Sequence, residues 1–325
     1  MRKVSVTVAS VLFFLWVGMT NLCSQSASTA ELSTYGFFEA TTPCDEETKK
    51  ILGISPGSKC EMMKWNLTFY KDPNKNSPAT FQLICVYGMA RQGTRGFMDG
   101  AITIELKGKC DVEKAIRENT NAEVYNLIAD NLPITISFLQ PDQNILHLLN
   151  ENREPLIGNG AWSYTLNRKQ PILNSSGRFT PQATSPVLPV ANSDTIGVFG
   201  GRTPCNSALL EINNISAEGC QIIKCRLTLL QDKNSRTPAS FLLETIYVGK
   251  GDNRYTTKGK WKLLQGVAGN PAAIVYQLVP DAGSPNSQLL LLKADDNILF
   301  FLDNNAHFLV GNDYCSYTLN NVRKK

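Results

Sequence analysis

The chain has 325 residues, 42% of them apolar and 18% charged, a composition that provides cores for two domains of ordinary size. The formal net charge is +4, and it falls to +2 without Arg2 and Lys3 of the N-terminal leader. A surplus this small argues against a nucleic-acid partner and favours a mixed, solvated surface.

Residues 1–30 have the pattern of an export signal. A basic start is followed by an apolar run over residues 4–19 and by small residues that predict cleavage after Ala30. The alternatives are a permanent membrane anchor and a lipid anchor on Cys23. We expect an exported protein in the periplasm, at the outer membrane or secreted, with membrane contact only through such a lipid anchor.

The mature chain contains an internal repeat. Residues 144–167 and 297–320 share Asn-Ile-Leu, Gly-Asn and Ser-Tyr-Thr-Leu-Asn at a constant offset of 153 residues. The starts also match, because Thr-Pro-Cys44 corresponds to Thr-Pro-Cys205. The repeat predicts two copies of one domain, at residues 31–168 and 194–325.

Apolar residues alternate with polar ones in each copy, which is typical of half-buried strands. Met63, Trp65, Leu67 and Phe69 show the alternation in the first copy. We expect seven or eight short strands per copy, in a sandwich or, preferably, a barrel, because closure removes exposed strand edges. The predicted fold is all-β, with two tandem up-and-down β-barrels and short helices only at residues 45–52 and 111–118.

Residues 169–193 join the two copies. They contain four prolines among Ser, Thr, Asn and Ala and have no apolar period. This composition predicts an extended, semi-stiff linker. The alternative is a segment that docks a partner.

The sequence argues against catalysis. His147 and His307 are the only histidines, and they occupy different positions in the repeat. No acid, base or nucleophile set recurs in both copies. We therefore predict a protein that is not an enzyme and has no required cofactor.

Eight cysteines remain after Cys23, an even number that suggests disulfides in an exported chain. The matching positions predict Cys44–Cys60 and Cys205–Cys220 bonds, each pinning a loop to its barrel. The alternative is a copper site, since Cys60, Met62 and Met63 offer soft ligands for Cu(I).

The other four cysteines are specific to one copy. Cys225 and Cys315 replace Trp65 and Trp162 of the first copy, and both positions are expected to point inward. A Cys225–Cys315 bond would be feasible if their strands meet where the barrel closes, and inert buried thiols are the alternative. Elimination then leaves Cys85 and Cys110 as a pair, and Cα separations above ~7 Å would exclude either bond.

Several of these features together resemble a known family. Each Thr-Pro-Cys, the second cysteine, the strand at Trp65 and Gly259-Lys-Trp261 are similar to the N-terminal domain of the NlpE family, known as copper resistance proteins. The closing Ser-Tyr-Thr-Leu-Asn segment resembles that of bacterial members. In the family a Cys-x-x-Cys follows the proline, whereas here the partner cysteines stand at Cys60 and Cys220.

The resemblance implies a small lipocalin-like β-barrel in the bacterial envelope. It implies a role in envelope stress, surface sensing or copper tolerance. We therefore expect a non-catalytic binding or sensor protein whose partner is an envelope protein or a small apolar ligand. The alternatives are soft-metal binding and a structural module with a filled barrel.

Overall fold

A computed structural model describes residues 33–72, 74–75, 77–115, 122–173, 180–183, 193–251, 253–282 and 288–322. The predicted export signal and Cys23 lie outside these ranges. All the described residues belong to one compact unit, Leu32–Lys325. Within the described ranges, no helix has the length and apolarity needed to cross a membrane.

The first copy is a closed barrel in which each strand pairs with its neighbour in sequence and the last strand pairs with the first. All its pairings are antiparallel. The strands are β1 (Thr34–Pro43), β2 (Met62–Lys71), β3 (Pro78–Gly88), β4 (Ile102–Lys114), β5 (Glu123–Ala129), β6 (Ile136–Asp142), β7 (Ile145–Leu148) and β8 (Thr165–Arg168). Helix α1 (Glu46–Ile51) lies between β1 and β2.

The second copy repeats this architecture, and a pairing between β12 and β13 closes its sheet. Its strands are β10 (Ser193–Thr203), β11 (Ile222–Asp232), β12 (Pro238–Val248), β13 (Arg254–Val267), β14 (Asn270–Pro280), β15 (Leu289–Lys293), β16 (Ile298–Leu302) and β17 (Thr318–Asn321). Helix α2 (Ser207–Ile212) follows β10. The prediction of two tandem up-and-down barrels is confirmed.

The period-two alternation builds these sheets because successive side chains of a strand point to opposite faces. The inward side chains of the first barrel form one core, in which Trp65, Phe69, Tyr125 and Phe138 are almost completely buried. Edge-to-face ring contacts join Trp65 to Phe138 and Phe69 to Tyr125. Side chains therefore fill the barrel interior.

One predicted helix is present and the other is wrong. Residues 46–51 form α1, but residues 111–114 belong to β4, where Asp111 pairs with Asn126 and Glu113 with Val124. The short Asp-Val-Glu-Lys run carries no strong local signal. Cross-strand pairing with β5 therefore decides its conformation.

Part of the predicted linker pairs with the second barrel. Gln182 and Ala183 form the short strand β9 (Gln182–Ala183), which lies antiparallel to β13 opposite Gln265 and Leu264. At the start of the linker, Ile172 exchanges two hydrogen bonds with the side chain of Asn144. The described linker residues are thus attached to both barrels.

Candidate functional site

Two disulfides tether the loops that contain the helices. Cys44–Cys60 and Cys205–Cys220 have Cα separations of 5.6 and 6.2 Å, and both predicted bonds are confirmed. Each bond closes a loop between the first two strands of its barrel. Such bonds persist in oxidising compartments, so they indicate an exported location.

Polar contacts fix the first loop further. The carboxylate of Asp45 caps α1 by accepting a hydrogen bond from the Thr48 backbone N–H at 3.0 Å. The Tyr164 hydroxyl donates a short hydrogen bond to the same carboxylate. Burial of Tyr164 and the nearby Asp45 charge raise the pKa of that phenol. The hydroxyl therefore remains a proton donor that ties the loop to the segment before β8.

Different side chains make the corresponding helix cap and tyrosine hydrogen bond in the second loop. Asn206 replaces Asp45 as the cap of α2 and accepts from the Leu209 backbone N–H at 3.1 Å. The Tyr247 hydroxyl donates to the Leu209 carbonyl at 2.6 Å. Both loops are thus held against their barrels independently of the disulfides.

The predicted Cys85–Cys110 bond is wrong, because both residues are free and buried. Cys85 lies opposite Ile104 of β4, six residues before Cys110 along that strand. This offset corresponds to roughly 20 Å at about 3.3 Å per residue. A disulfide would require a Cα separation below ~7 Å.

The Cys225–Cys315 bond is also wrong, and the alternative of buried thiols holds. Strand β10 lies between β11, which carries Cys225, and β17, which follows Cys315. Two strand spacings amount to about 9.5 Å, too far for a disulfide. Cys315 also lies outside the barrel core, in a small cluster with Ile222 and Tyr314.

Burial makes all four thiols unreactive. It raises the pKa of Cys110, Cys225 and Cys315 to about 12, and it raises the pKa of Cys85 as well. The thiolate is the nucleophilic and metal-binding form, so these side chains behave as small apolar residues.

The structure does not bring the proposed copper ligands together as free donors. The Cys60 sulfur is bonded to Cys44, and Met62 and Met63 are buried neighbours on opposite faces of β2. Among the described residues, no cluster of three His, Cys, Asp or Glu side chains could hold a metal ion. A copper site through Cys60 would require reduction of the disulfide and stays a prediction.

A line of equivalent residues joins the two barrels. The hydroxyls of Ser163 and Ser316 lie 2.6 Å apart, and those of Thr165 and Thr318 lie 2.9 Å apart. Each pair occupies matching positions of the repeat. His147 likewise packs against its counterpart Phe300, with ring centroids 5.8 Å apart. Contacts between equivalent residues define a local two-fold axis.

Reciprocal hydrogen bonds flank this axis. The Gly158 N–H donates to the Asn320 side chain at 2.9 Å, and the Gly311 N–H donates to Asn167 at 2.8 Å. Since matching residues meet at two successive outward positions, the final strands of the barrels run in the same direction. Both barrels therefore point the same way, and their disulfide loops lie at the same end of the pair.

A hairpin of the first barrel contacts Glu61 and Gln221, the residues that follow Cys60 and Cys220. Residues 89–101 join β3 to β4, whereas five residues, 249–253, join the matching strands of the second barrel. Arg95 of this hairpin lies over the Tyr314 ring at 5.3 Å and contacts the Gln221 carbonyl, next to Cys220. The hairpin thus reaches the disulfide rim of the second barrel.

The hairpin and its base expose large apolar side chains. Met89, Met98 and Ile102 have 41%, 54% and 50% of their surface exposed, and Met98 donates its backbone N–H to the Met89 carbonyl at 2.9 Å. We define the disulfide face as the hairpin 89–101 with Ile102 and the two loops 44–60 and 205–220. It combines tethered loops with an exposed apolar patch, the combination that marks binding surfaces.

Sequence reasoning missed both the two-fold axis and the hairpin. The signal for the axis was that both copies keep Ser, Thr and Asn at the outward positions of the Ser-Tyr-Thr-Leu-Asn segment. On the surface of an isolated barrel, any polar residue would be suitable at these positions. The signal for the hairpin was its extra length in one copy. Neither signal identifies what the residues contact.

The fold and the site define a class of protein, namely a tandem pair of filled β-barrels with disulfide-tethered loops on one face. Comparisons of the chain with protein-family models, curated proteins and solved structures found no match. The resemblance to the NlpE family therefore stays a prediction.

Proposed function

We propose that this chain is an exported, non-catalytic binding or sensor protein of the bacterial cell envelope, and that it binds a protein partner through the disulfide face. The observation that carries the proposal is the placement of Met89, Met98 and Ile102 beside two rigid, disulfide-tethered loops. Folded proteins bury most large apolar side chains, and a cluster of exposed ones on a firm support favours protein binding.

The packing of the barrels supports an external site over an internal one. Trp65, Phe69 and Phe138 fill the first barrel, and Phe301 and Leu291 lie in the core of the second. A small apolar ligand inside either barrel would have to displace these side chains. The same packing also supports the second candidate, a structural envelope module without a ligand.

The proposal that the exported protein resides in the bacterial envelope rests on the resemblance to the NlpE family. Periplasmic, outer-membrane and secreted locations all suit a disulfide-bonded protein. A sensor of envelope stress, surface contact or copper would report through the disulfide face. For copper, binding of Cu(I) to the reduced protein but not to its Cys60→Ser variant is the deciding titration.

Capture of partners from envelope extracts tests the proposal. The wild-type chain and a Met89→Asp/Met98→Asp variant would be compared, with Ile128→Asp as the control because Ile128 is similarly exposed on β5. We expect the double variant to lose at least tenfold of the captured partner and the control to lose none. All three side chains are exposed, so thermal unfolding should remain unchanged.

Two outcomes contradict the proposal. Equal capture by the double variant and the wild-type chain would place partner binding elsewhere. Failure of the wild-type chain to enrich any envelope protein over beads would favour the structural module.

A further inference from the structure

The second barrel shows how an extended segment can add to a barrel edge. Strand β13 pairs with β12 only as far as Lys260, which lies opposite Ser240. At Leu264 and Gln265, one edge of β13 pairs with β14 and the other edge pairs with β9. A strand from the linker thus occupies an edge that the barrel itself leaves open.

The first barrel has the same edge, and no described residue adds a strand to it. Strand β4 pairs with β3 only as far as Lys109, and its last residues pair with β5 alone in the part of the chain that the structure describes. Glu113 and Lys114 occupy the positions of Leu264 and Gln265. Unpaired main-chain groups at a strand edge are a template for another strand.

A pocket of about 390 Å³ adjoins this edge. Its apolar floor is formed by Val124, Leu139 and Leu149. The matching residues of the second barrel, Val275, Leu292 and Leu302, belong to a buried apolar cluster that also contains Leu264 and Ala306. In the part of the chain that the structure describes, the position that is covered in the second barrel is therefore open in the first.

Two charged residues at the rim of the pocket, Glu113 and Arg153, pair with each other. Arg153 pairs with the Glu113 carboxylate at 2.9 Å and donates to the Asn126 side chain at 2.7 Å. Arg153 and its counterpart Ala306 share a left-handed backbone, with φ of 63° and 61°, which confirms that the two sites are equivalent. Because this ion pair is already formed and the floor is apolar, the pocket suits an apolar side chain.

We propose that the far end of β4 and this pocket form a strand-addition site for an extended segment of a partner protein. The segment pairs antiparallel with Glu113 and Lys114 through main-chain hydrogen bonds and places one apolar side chain on Val124, Leu139 and Leu149. Main-chain pairing supplies affinity in this mode of recognition, and the pocket supplies selectivity. The site lies at the end of β4 opposite the hairpin, so it is separate from the disulfide face.

A peptide probe tests the proposal. A fluorescein-labelled peptide with the sequence of residues 180–190 contains the β9 strand and, after Thr184 and Ser185, an apolar run at residues 186–190. Fluorescence anisotropy would measure its binding to the full chain. We expect saturable binding, an affinity at least tenfold lower for Leu139→Arg, and an unchanged affinity for the control Ile128→Arg on the exposed outer face of β5.

Hydrogen exchange identifies the edge that the peptide uses. We expect slower exchange at residues 112–114 and unchanged exchange at residues 264–265, which β9 already covers. The Met89→Asp/Met98→Asp variant should bind the peptide like the wild-type chain, which distinguishes this site from the disulfide face. Absence of saturable binding, or equal binding by Leu139→Arg, would overturn the proposal.

Discussion

At the residue scale, His147 is the group with the most consequence for the pairing of the barrels. Its Nε2 lies 2.9 Å from the Leu156 carbonyl, which can only accept, so Nε2 carries the proton. Its Nδ1 therefore accepts from the Thr165 hydroxyl at 3.0 Å, and Thr318 donates to Thr165 across the axis. In the neutral imidazole, both ring nitrogens of His147 therefore have a hydrogen-bond partner.

Acid should destabilise the protein through this residue. Burial lowers the pKa of His147 from 6.5 to about 4, against a smaller opposing effect of the Leu156 carbonyl. As the pH falls, the unfolded chain binds the proton before the folded chain does. The contribution of His147 to the free energy of unfolding is therefore complete above pH 6.5 and is lost between pH 6.5 and 4. The total loss is about 3 kcal/mol.

Urea unfolding at several pH values measures this contribution. His147→Phe cannot be protonated, and it places two phenylalanines at equivalent positions on the axis. Between pH 6.5 and 4, the wild-type free energy of unfolding should fall by about 3 kcal/mol more than that of the variant. Parallel pH profiles for the two proteins would show that His147 is not the titrating group.

At the element scale, the strands and the two disulfides could be predicted from the sequence because their determinants are local. Alternation of apolar and polar residues identifies a strand with one buried face. Matching Cys44–Cys60 and Cys205–Cys220 spacings in two copies identify a shared loop. The C-terminal half of β4 and the strand β9 could not be predicted in this way, because they depend on which chain segment lies beside them.

Two glycines show how an element depends on its neighbour. A Cβ at Gly158 would lie 2.3 Å from the Trp162 carbonyl oxygen, and one at Gly311 would lie 2.1 Å from the Cys315 carbonyl oxygen. These backbone atoms cannot move aside without shifting the segment before the final strand. The same glycines donate their N–H groups to asparagines of the opposite barrel.

Alanine at either glycine should therefore destabilise the protein by about 1–3 kcal/mol in urea unfolding. The effects of Gly158→Ala and Gly311→Ala should be similar, because the two sites are equivalent. Gly57→Ala is the matched control, since no atom lies within 4 Å of its added Cβ. A change at Gly158 no larger than the change at Gly57 would refute the packing argument.

At the scale of the whole molecule, the two barrels associate as a symmetric dimer would, although they belong to one chain. The axis residues are outward-facing Ser, Thr and Asn of the closing segments, and they are buried by the opposite barrel. The repeat in the sequence established two copies, but it contained no information on their contact. Polar outward residues fit a free surface as well as a hydrogen-bonded interface, and only the packed pair distinguishes these cases.

This arrangement predicts that the linker is not needed to hold the barrels together. A protease site inserted between residues 176 and 177 would allow the linker to be cut after folding. The cut wild-type chain should elute from a sizing column as one species at micromolar concentration, because the axis contacts, including Thr165 to Thr318, remain.

Thr165→Arg would bury an unpaired charge at the axis, so the cut halves of this variant should separate. Thr103→Arg adds the same charge at an exposed position of β4 and should leave the cut pair intact. Separation of the cut wild-type halves would instead mean that the linker, and not the two-fold interface, keeps both disulfide loops on one face.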